Sequence, residues 1–106
     1  MSLDQTILAL SDPTRRELIR RLAREPLRAG DLANGFSVSR PAICKHTRLL
    51  ARAGLIRAKK SGRERIYELS PNGGKAVKDM IQQLEAMSHL WDIALEAFKH
   101  YTEAKK

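Results

Sequence analysis

Cysteine is nearly missing from this chain of 106 residues: Cys44 is the one copy. An intramolecular disulfide is therefore excluded, and the cysteine usage suits a reducing compartment, so a cytoplasmic location is expected. Aromatic residues are also scarce, with two Phe, two Tyr and one Trp. Trp91, Phe98 and Tyr101 fall into a helical repeat, which leaves no exposed aromatic platform for stacking single-stranded bases. No apolar run approaches the roughly 20 residues that span a bilayer, so no membrane partner is expected. The start "MSLDQTILALSDP" has neither the basic opening nor the small-residue cleavage site of a signal peptide. No phosphate-binding loop is present, because Gly73-Gly74 lacks the flanking pattern. Cys44, Lys45 and His46 are neighbours on an expected helix and point apart, which is wrong for a nucleophile and base sharing a hydrogen bond. These residues give an enzyme no support, and they imply no cofactor.

Acidic residues are the other shortage: 12 Asp/Glu face 20 Lys/Arg, for a net charge of +8. The surplus is unevenly placed. Residues 1–53 hold ten basic against five acidic side chains, and residues 54–70 hold five against two. Residues 71–106 hold five of each and are neutral. A positive field confined to part of a small protein attracts a polyanion, and double-stranded DNA is the expected partner.

The length suits one domain over 1–106, with no repeat or linker that would divide it. "SLDQTILAL" puts Leu3, Ile7 and Leu10 at helical spacing, with Ser2 or Asp4 near the start. In "SDPTRRELIRRLARE" Asp12 is an expected N-cap and Pro13 suits the first turn. Leu18, Ile19 and Leu22 form that helix's apolar stripe, Arg15, Arg16, Arg20, Arg21 and Arg24 supply its basic remainder, and Pro26 stops it. A short helix through Asp31, Leu32 and Ala33 ends at Asn34-Gly35. Ser39 then caps a helix with an early Pro41 that runs to about Ala53 and stops at Gly54. Two short helices joined by a tight turn make a helix-turn-helix unit.

The period changes in "LIRAKKSGRERIYELS", where 55–58 and 64–69 read as strands around a "KSGR" turn. The spacing predicts a mainly α fold with a small β-hairpin: four helices, the hairpin and a fifth helix, in other words a winged helix-turn-helix. After Ser70-Pro71 a long helix carries Val77, Met80, Leu84, Met87, Trp91, Ala94, Phe98 and Tyr101 at alternating spacings of three and four. That is a coiled-coil seam sustained over about three heptads. Gly73-Gly74 is expected to delay the helix start, and Ser88-His89 to mark a break.

Within the fourth helix Ile43 and Leu50 face inward, with Ala42, Leu49 and Ala53 flanking, while Arg40, Cys44, Lys45 and Arg48 share the opposite face. An outer face of arginine, lysine and small residues fits a major groove, where Arg pairs with guanine in two hydrogen bonds. Ser37, Ser39 and Pro41 stand at its entrance, with the serines suited to phosphate. The hairpin tip adds Lys59, Lys60, Arg63 and Arg65, placed for the backbone or minor groove. A solvated helix face and a charged edge strand are the plain alternatives.

The stretches "SDPTRRELI", "SRPAICKH" and "GRERIYEL", within about 6–70, resemble the winged helix-turn-helix core of ArsR/SmtB-type bacterial repressors. That resemblance implies a homodimeric DNA-binding transcriptional repressor acting on an inverted repeat, with dimerisation through the first and last helices, about 2–10 and 71–103, and an expected interface of Leu3, Ile7, Leu10, Leu84, Met87, Trp91, Ala94, Phe98 and Tyr101. Two positions depart from the family pattern: Thr47 stands where leucine is usual on the inward stripe, and Cys44 where serine is common. Family metal sites have a poor match. Aligning the Cys-x-Cys-Asp-Leu pattern on Asp31-Leu32 puts Arg28 and Gly30 at the cysteine positions. The other site type starts directly after the wing, where this chain has Pro71 and Gly73. A non-metal-sensing member is therefore expected, with no metal bound. The alternative is a sensor using the Cys44 thiol, or His89, His100 and Glu103 as metal ligands. The effector, if one exists, is not encoded legibly.

Overall fold

The computed structural model describes residues 2–104. Its elements are α1 (Leu3–Ala9), α2 (Pro13–Arg24), β1 (Leu27–Arg28), α3 (Ala29–Leu32), α4 (Arg40–Arg52), β2 (Ile56–Ser61), β3 (Glu64–Leu69) and α5 (Pro71–Ala104). The helix starts follow from local chemistry. Ser2 and Gln5 form a reciprocal capping box on α1, at 3.1 and 2.9 Å. The Asp12 carboxylate accepts from the Thr14 and Arg15 amides ahead of α2, and Ser39 Oγ accepts from the Ala42 amide ahead of α4. Between α3 and α4 the chain turns at Gly35, whose φ of +82° lies in the left-handed region that a side chain disfavours.

One core serves all of these elements. Leu18, Ile19 and Leu22 of α2 meet Ile43 and Leu50 of α4, with Leu32, Leu55 and Ile56 closing the cluster. Leu50 is fully buried, so Leu50→Ala carries a cavity cost of about 2–5 kcal/mol. Two hydroxyls are buried with this core and both are satisfied. Thr6 Oγ1 donates to the Ser2 carbonyl at 3.1 Å, and Thr47 Oγ1 to the Cys44 carbonyl at 2.9 Å. The threonine on the inward stripe of α4 is thus accommodated by a bond to its own helix.

The hairpin is longer and tighter than the sequence suggests. β2 extends to Ser61, which pairs with Glu64 across a two-residue turn, Gly62-Arg63. A short strand that the sequence pattern missed, β1, pairs Leu27 with Tyr67 and Arg28 with Ile66, giving the order β1-β3-β2. Two residues are too few to show a period, and flanking Pro26 hides them further. The short third helix also begins earlier than its apolar residues imply, at Ala29, and Ala33 already belongs to the turn.

Neither expected irregularity in the last helix appears: α5 runs unbroken from Pro71 through Gly73-Gly74 and Ser88-His89 to Ala104. Gly73 has a packing reason. A Cβ built there would lie 2.1 Å from the Leu55 carbonyl oxygen, so the first turn of α5 rests directly on the backbone between α4 and β2. Ser70 locks that contact: its amide donates to the Leu55 carbonyl, its hydroxyl donates to the Gly54 carbonyl and accepts from the Gly73 amide. Beyond Met80 every described side chain of α5 is exposed. The radius of gyration is accordingly 18.6 Å, against about 13 Å for a compact chain of this length.

Gly74 has open space around its Cα. Gly74→Ala is therefore expected to stabilise the fold by about 0.5–1 kcal/mol through helix propensity. Gly73→Ala should instead destabilise it by about 1–3 kcal/mol, because the Leu55 backbone must move. Urea denaturation of the two variants checks the opposite signs.

Candidate nucleic-acid interface

Gripping α4 by Ile43, Thr47 and Leu50 leaves its other face to solvent. Ser37, Ser39, Arg40, Pro41, Cys44, Lys45 and Arg48 are all exposed, as their spacing predicts. Among the described residues none of Arg40, Lys45 and Arg48 is in an ion pair. The exposed Cys44 thiol lies among these cations. Leu49, expected to flank the inward stripe, is instead 41% exposed at the edge of a groove between α1, α4 and α5.

The wing presents a cation row for a geometric reason. Cross-strand pairs Ile56–Leu69 and Ala58–Tyr67 share one face of the hairpin, and the next pair on that face is Lys60–Arg65. The apolar row therefore continues past the core as two like charges facing each other, an arrangement that costs stability unless an anion sits nearby. Lys60, Arg63 and Arg65 have no acidic partner among the described residues, whereas Lys59 is 3.0 Å from the Glu68 carboxylate. Arg57 meets the same carboxylate at 2.6 Å. Hydrogen bonds from Lys59 and then Arg57 hold the Glu68 pKa below the usual carboxylate range. Of the four expected wing cations, Lys59 is thus the one already engaged.

Much of the basic surplus of the first half already has partners within the protomer, even where, as at Arg16 and Arg20, the side chain is exposed. Arg15 donates to the Ala9 carbonyl at 2.6 Å, Arg16 to the Leu10 carbonyl at 2.9 Å, and Arg20 pairs with Glu17 at 2.8 Å. Arg21 donates to the Leu32 and Asn34 carbonyls and lies 4.2 Å from the centroid of the Phe36 ring. It therefore holds the turn that sets α3 against α4, through hydrogen bonds and a cation–π contact. The sequence pattern places these arginines on a basic remainder; no periodicity distinguishes a guanidinium that caps carbonyls from one that awaits phosphate.

The expected metal ligands do not come together. His89 and His100 are separated by roughly 16 Å of continuous helix, and His100 is 3.9 Å from Glu96. No group of three His, Cys, Asp or Glu suited to a metal occurs among the described residues. The apolar residues of the expected interface divide. Leu10 is buried in the protomer's own core and Leu3 is half-buried, while Ile7 and the unassigned Leu8 are exposed, Leu8 at 71%. On α5 Leu84, Met87, Trp91, Ala94, Phe98 and Tyr101 are all exposed, joined by Ile81, Leu90, Ile93 and Leu95. At 100° per residue all of these except Ile93 fall within roughly half the helix circumference, a broader stripe than a coiled-coil seam. Among the described residues no helix is long and apolar enough to cross a membrane.

A helix-turn-helix whose second helix offers one basic face, flanked by a basic two-stranded wing, defines the winged helix-turn-helix class of DNA-binding proteins. The comparisons with known proteins narrow this. Residues 10–58 match a family model described as a helix-turn-helix domain. The chain is 42% identical over 75 residues to the HTH-type transcriptional regulator Rv2034 of Mycobacterium tuberculosis, covering 71% of this chain and 70% of that one. It is 37% identical over 62 residues to the transcriptional repressor SdpR of Bacillus subtilis, covering 58% and 69%. A crystal structure of an ArsR family transcriptional regulator, RHA00566, matches with a TM-score of 0.67 at 34% identity, covering 85% and 90%. The chain belongs to the ArsR/SmtB family of DNA-binding transcriptional regulators.

Glu68 offers a direct test of the wing's charge. Glu68→Gln releases Arg57 and Lys59, and is expected to tighten binding to duplex DNA at low salt. It should also steepen the slope of log affinity against log salt by about one. Fluorescence anisotropy over a salt series checks both.

Proposed function

We propose that the protein is a repressor that binds an inverted-repeat operator as a homodimer. In this reading α4 lies in the major groove, with Arg40, Cys44, Lys45 and Arg48 toward the bases and Ser37, Ser39 and Pro41 at the helix entrance beside phosphate. Lys60, Arg63 and Arg65 at the wing tip take the flanking backbone or minor groove, and Lys59 joins them when DNA outcompetes Glu68. The observation that carries the reading is the unpaired cation row on the exposed face of α4 together with the Lys60–Arg65 pair on the wing. Two adjoining surfaces whose outward cations, Arg40, Lys45, Arg48, Lys60, Arg63 and Arg65, lack carboxylate partners among the described residues fit a polyanion that spans both.

The dimer reading rests on α5. From Ile81 onward its apolar half-circumference, including Trp91 and Phe98 at 65% exposure each, has no partner within the protomer. A helical segment of this kind gains its stability chiefly from packing, and a second copy supplies a matching stripe through two-fold symmetry. The breadth of the stripe suits contact with more than one partner helix, and Ile7 and Leu8 of α1 and Leu49 of α4 are exposed apolar residues as well. Two-fold symmetry then sets the half-sites about one helical turn apart, roughly 10 base pairs.

Arg40→Ala or Arg48→Ala is expected to cost about 1–3 kcal/mol at the cognate site and relax specificity at the base each reads. Lys60→Ala or Arg63→Ala should weaken binding evenly across sequences and flatten its salt dependence. Binding measured against a duplex selected from a random library checks both, and full affinity in an Arg40/Arg48 double variant sinks the assignment of α4. Trp91→Asp or Phe98→Asp should shift the protein to monomers in light scattering.

A further inference from the structure

His46 is the residue of α4 that belongs to neither of its two faces. It is half-buried between exposed Lys45 and buried Thr47, and its Nδ1 is 3.2 Å from the Arg15 guanidinium. A guanidinium can only donate, so the Nδ1 must accept, and the ring is the neutral form with its proton on Nε2. The same guanidinium donates to the Ala9 carbonyl at 2.6 Å and to the Leu8 carbonyl at 3.4 Å. Both carbonyls lie in the last turn of α1, where a cation is favoured, and the Leu8 carbonyl also accepts from the Ser11 amide and hydroxyl. One side chain of α2 thus ties the end of α1 to the middle of α4. Because α1 packs on α5, the tie also fixes the DNA-facing helix relative to the helix that carries the apolar stripe.

We propose that His46 is a positioning residue for DNA binding: its neutral ring accepts from Arg15 and so holds α4 in register with α1 and α5. The inference rests on α4 being the DNA-contacting helix. Protonation of the ring removes the acceptor and sets two cations side by side, which turns an attraction into a repulsion. From α2 the charged groups facing His46 are Arg15 and the Asp12 carboxylate, and from α1 it is met, through Arg15, by the Leu8 and Ala9 carbonyls. Partial burial pushes the Asp12 pKa up, but the Arg15 and Thr14 amides, helped by the nearby His46 and Arg15, hold it below the usual carboxylate value. A charged His46 is therefore pushed from Arg15 and drawn toward the carboxylate that caps α2.

The test uses the whole chain and a duplex selected by the wild type from a random-sequence library, at one fixed pH and ionic strength. His46→Leu, which has no acceptor, should bind about tenfold more weakly than the wild type, the scale of one charge-assisted hydrogen bond. His46→Asn places an oxygen where Nδ1 stands, so it should restore most of that loss. A His46→Asn variant that binds no better than His46→Leu overturns the proposal, as does a His46→Leu variant that binds like the wild type. If His46→Leu does not fold, His46→Asn decides: affinity within about threefold of the wild type supports the proposal, and a loss of about tenfold overturns it. Arg40→Ala/Arg48→Ala measured alongside separates the causes: loss of binding there with no effect at His46 defeats this inference alone, whereas full affinity there defeats the reading of α4.

Discussion

The structure depends on α4 being held by one face only. Ile43, Thr47 and Leu50 bury against α2 and the loop into β2, and that grip must be strong enough to leave three cations and a thiol outside without support. Close packing meets the requirement: a short stripe of branched side chains is enough when no buried polar group is left unsatisfied, and among the described residues no buried side-chain nitrogen or oxygen lacks a hydrogen-bond partner. Thr47 shows how narrow the tolerance is. A hydroxyl in that position is acceptable because the helix offers it the Cys44 carbonyl at 2.9 Å.

Electrostatics divides the basic side chains into two populations that composition cannot tell apart. Arg15, Arg16 and Arg21 end on backbone carbonyls and act as clips between elements. Arg40, Lys45, Arg48, Lys60, Arg63 and Arg65 lack carboxylate partners. The first population stabilises the scaffold and is insensitive to salt where it is half-buried; the second gains its partner only when counterions leave DNA. The Lys60–Arg65 pair belongs to the second, and its local repulsion is the cost of keeping a binding surface ready.

Most of the fold was legible because its signals are local. Asp12, Ser39 and Ser70 are capping residues, Leu18-Ile19-Leu22 and Ile43-Leu50 give a helical period, and 64–69 gives a strand. The DNA-facing residues of α4 follow from that same period once the inward stripe is known. What sequence reasoning missed depends on long-range contact. β1 is defined by its pairing with β3, and Leu10 is buried because the end of α1 packs into the protomer's own core. Gly73 looked like a helix breaker until the Leu55 carbonyl beneath it gave a reason for a missing side chain. The arginine clips and the His46 acceptor join residues from six to 31 positions apart, and no spacing rule reaches that far.

The unsupported length of α5 has a consequence for how the regulator is dosed. A protomer alone exposes a greasy rod, so in the proposed homodimer folding and pairing would be linked events. The amount of structured regulator would then rise faster than in proportion to the amount of chain made, which would give a small switch a concentration threshold without any added part.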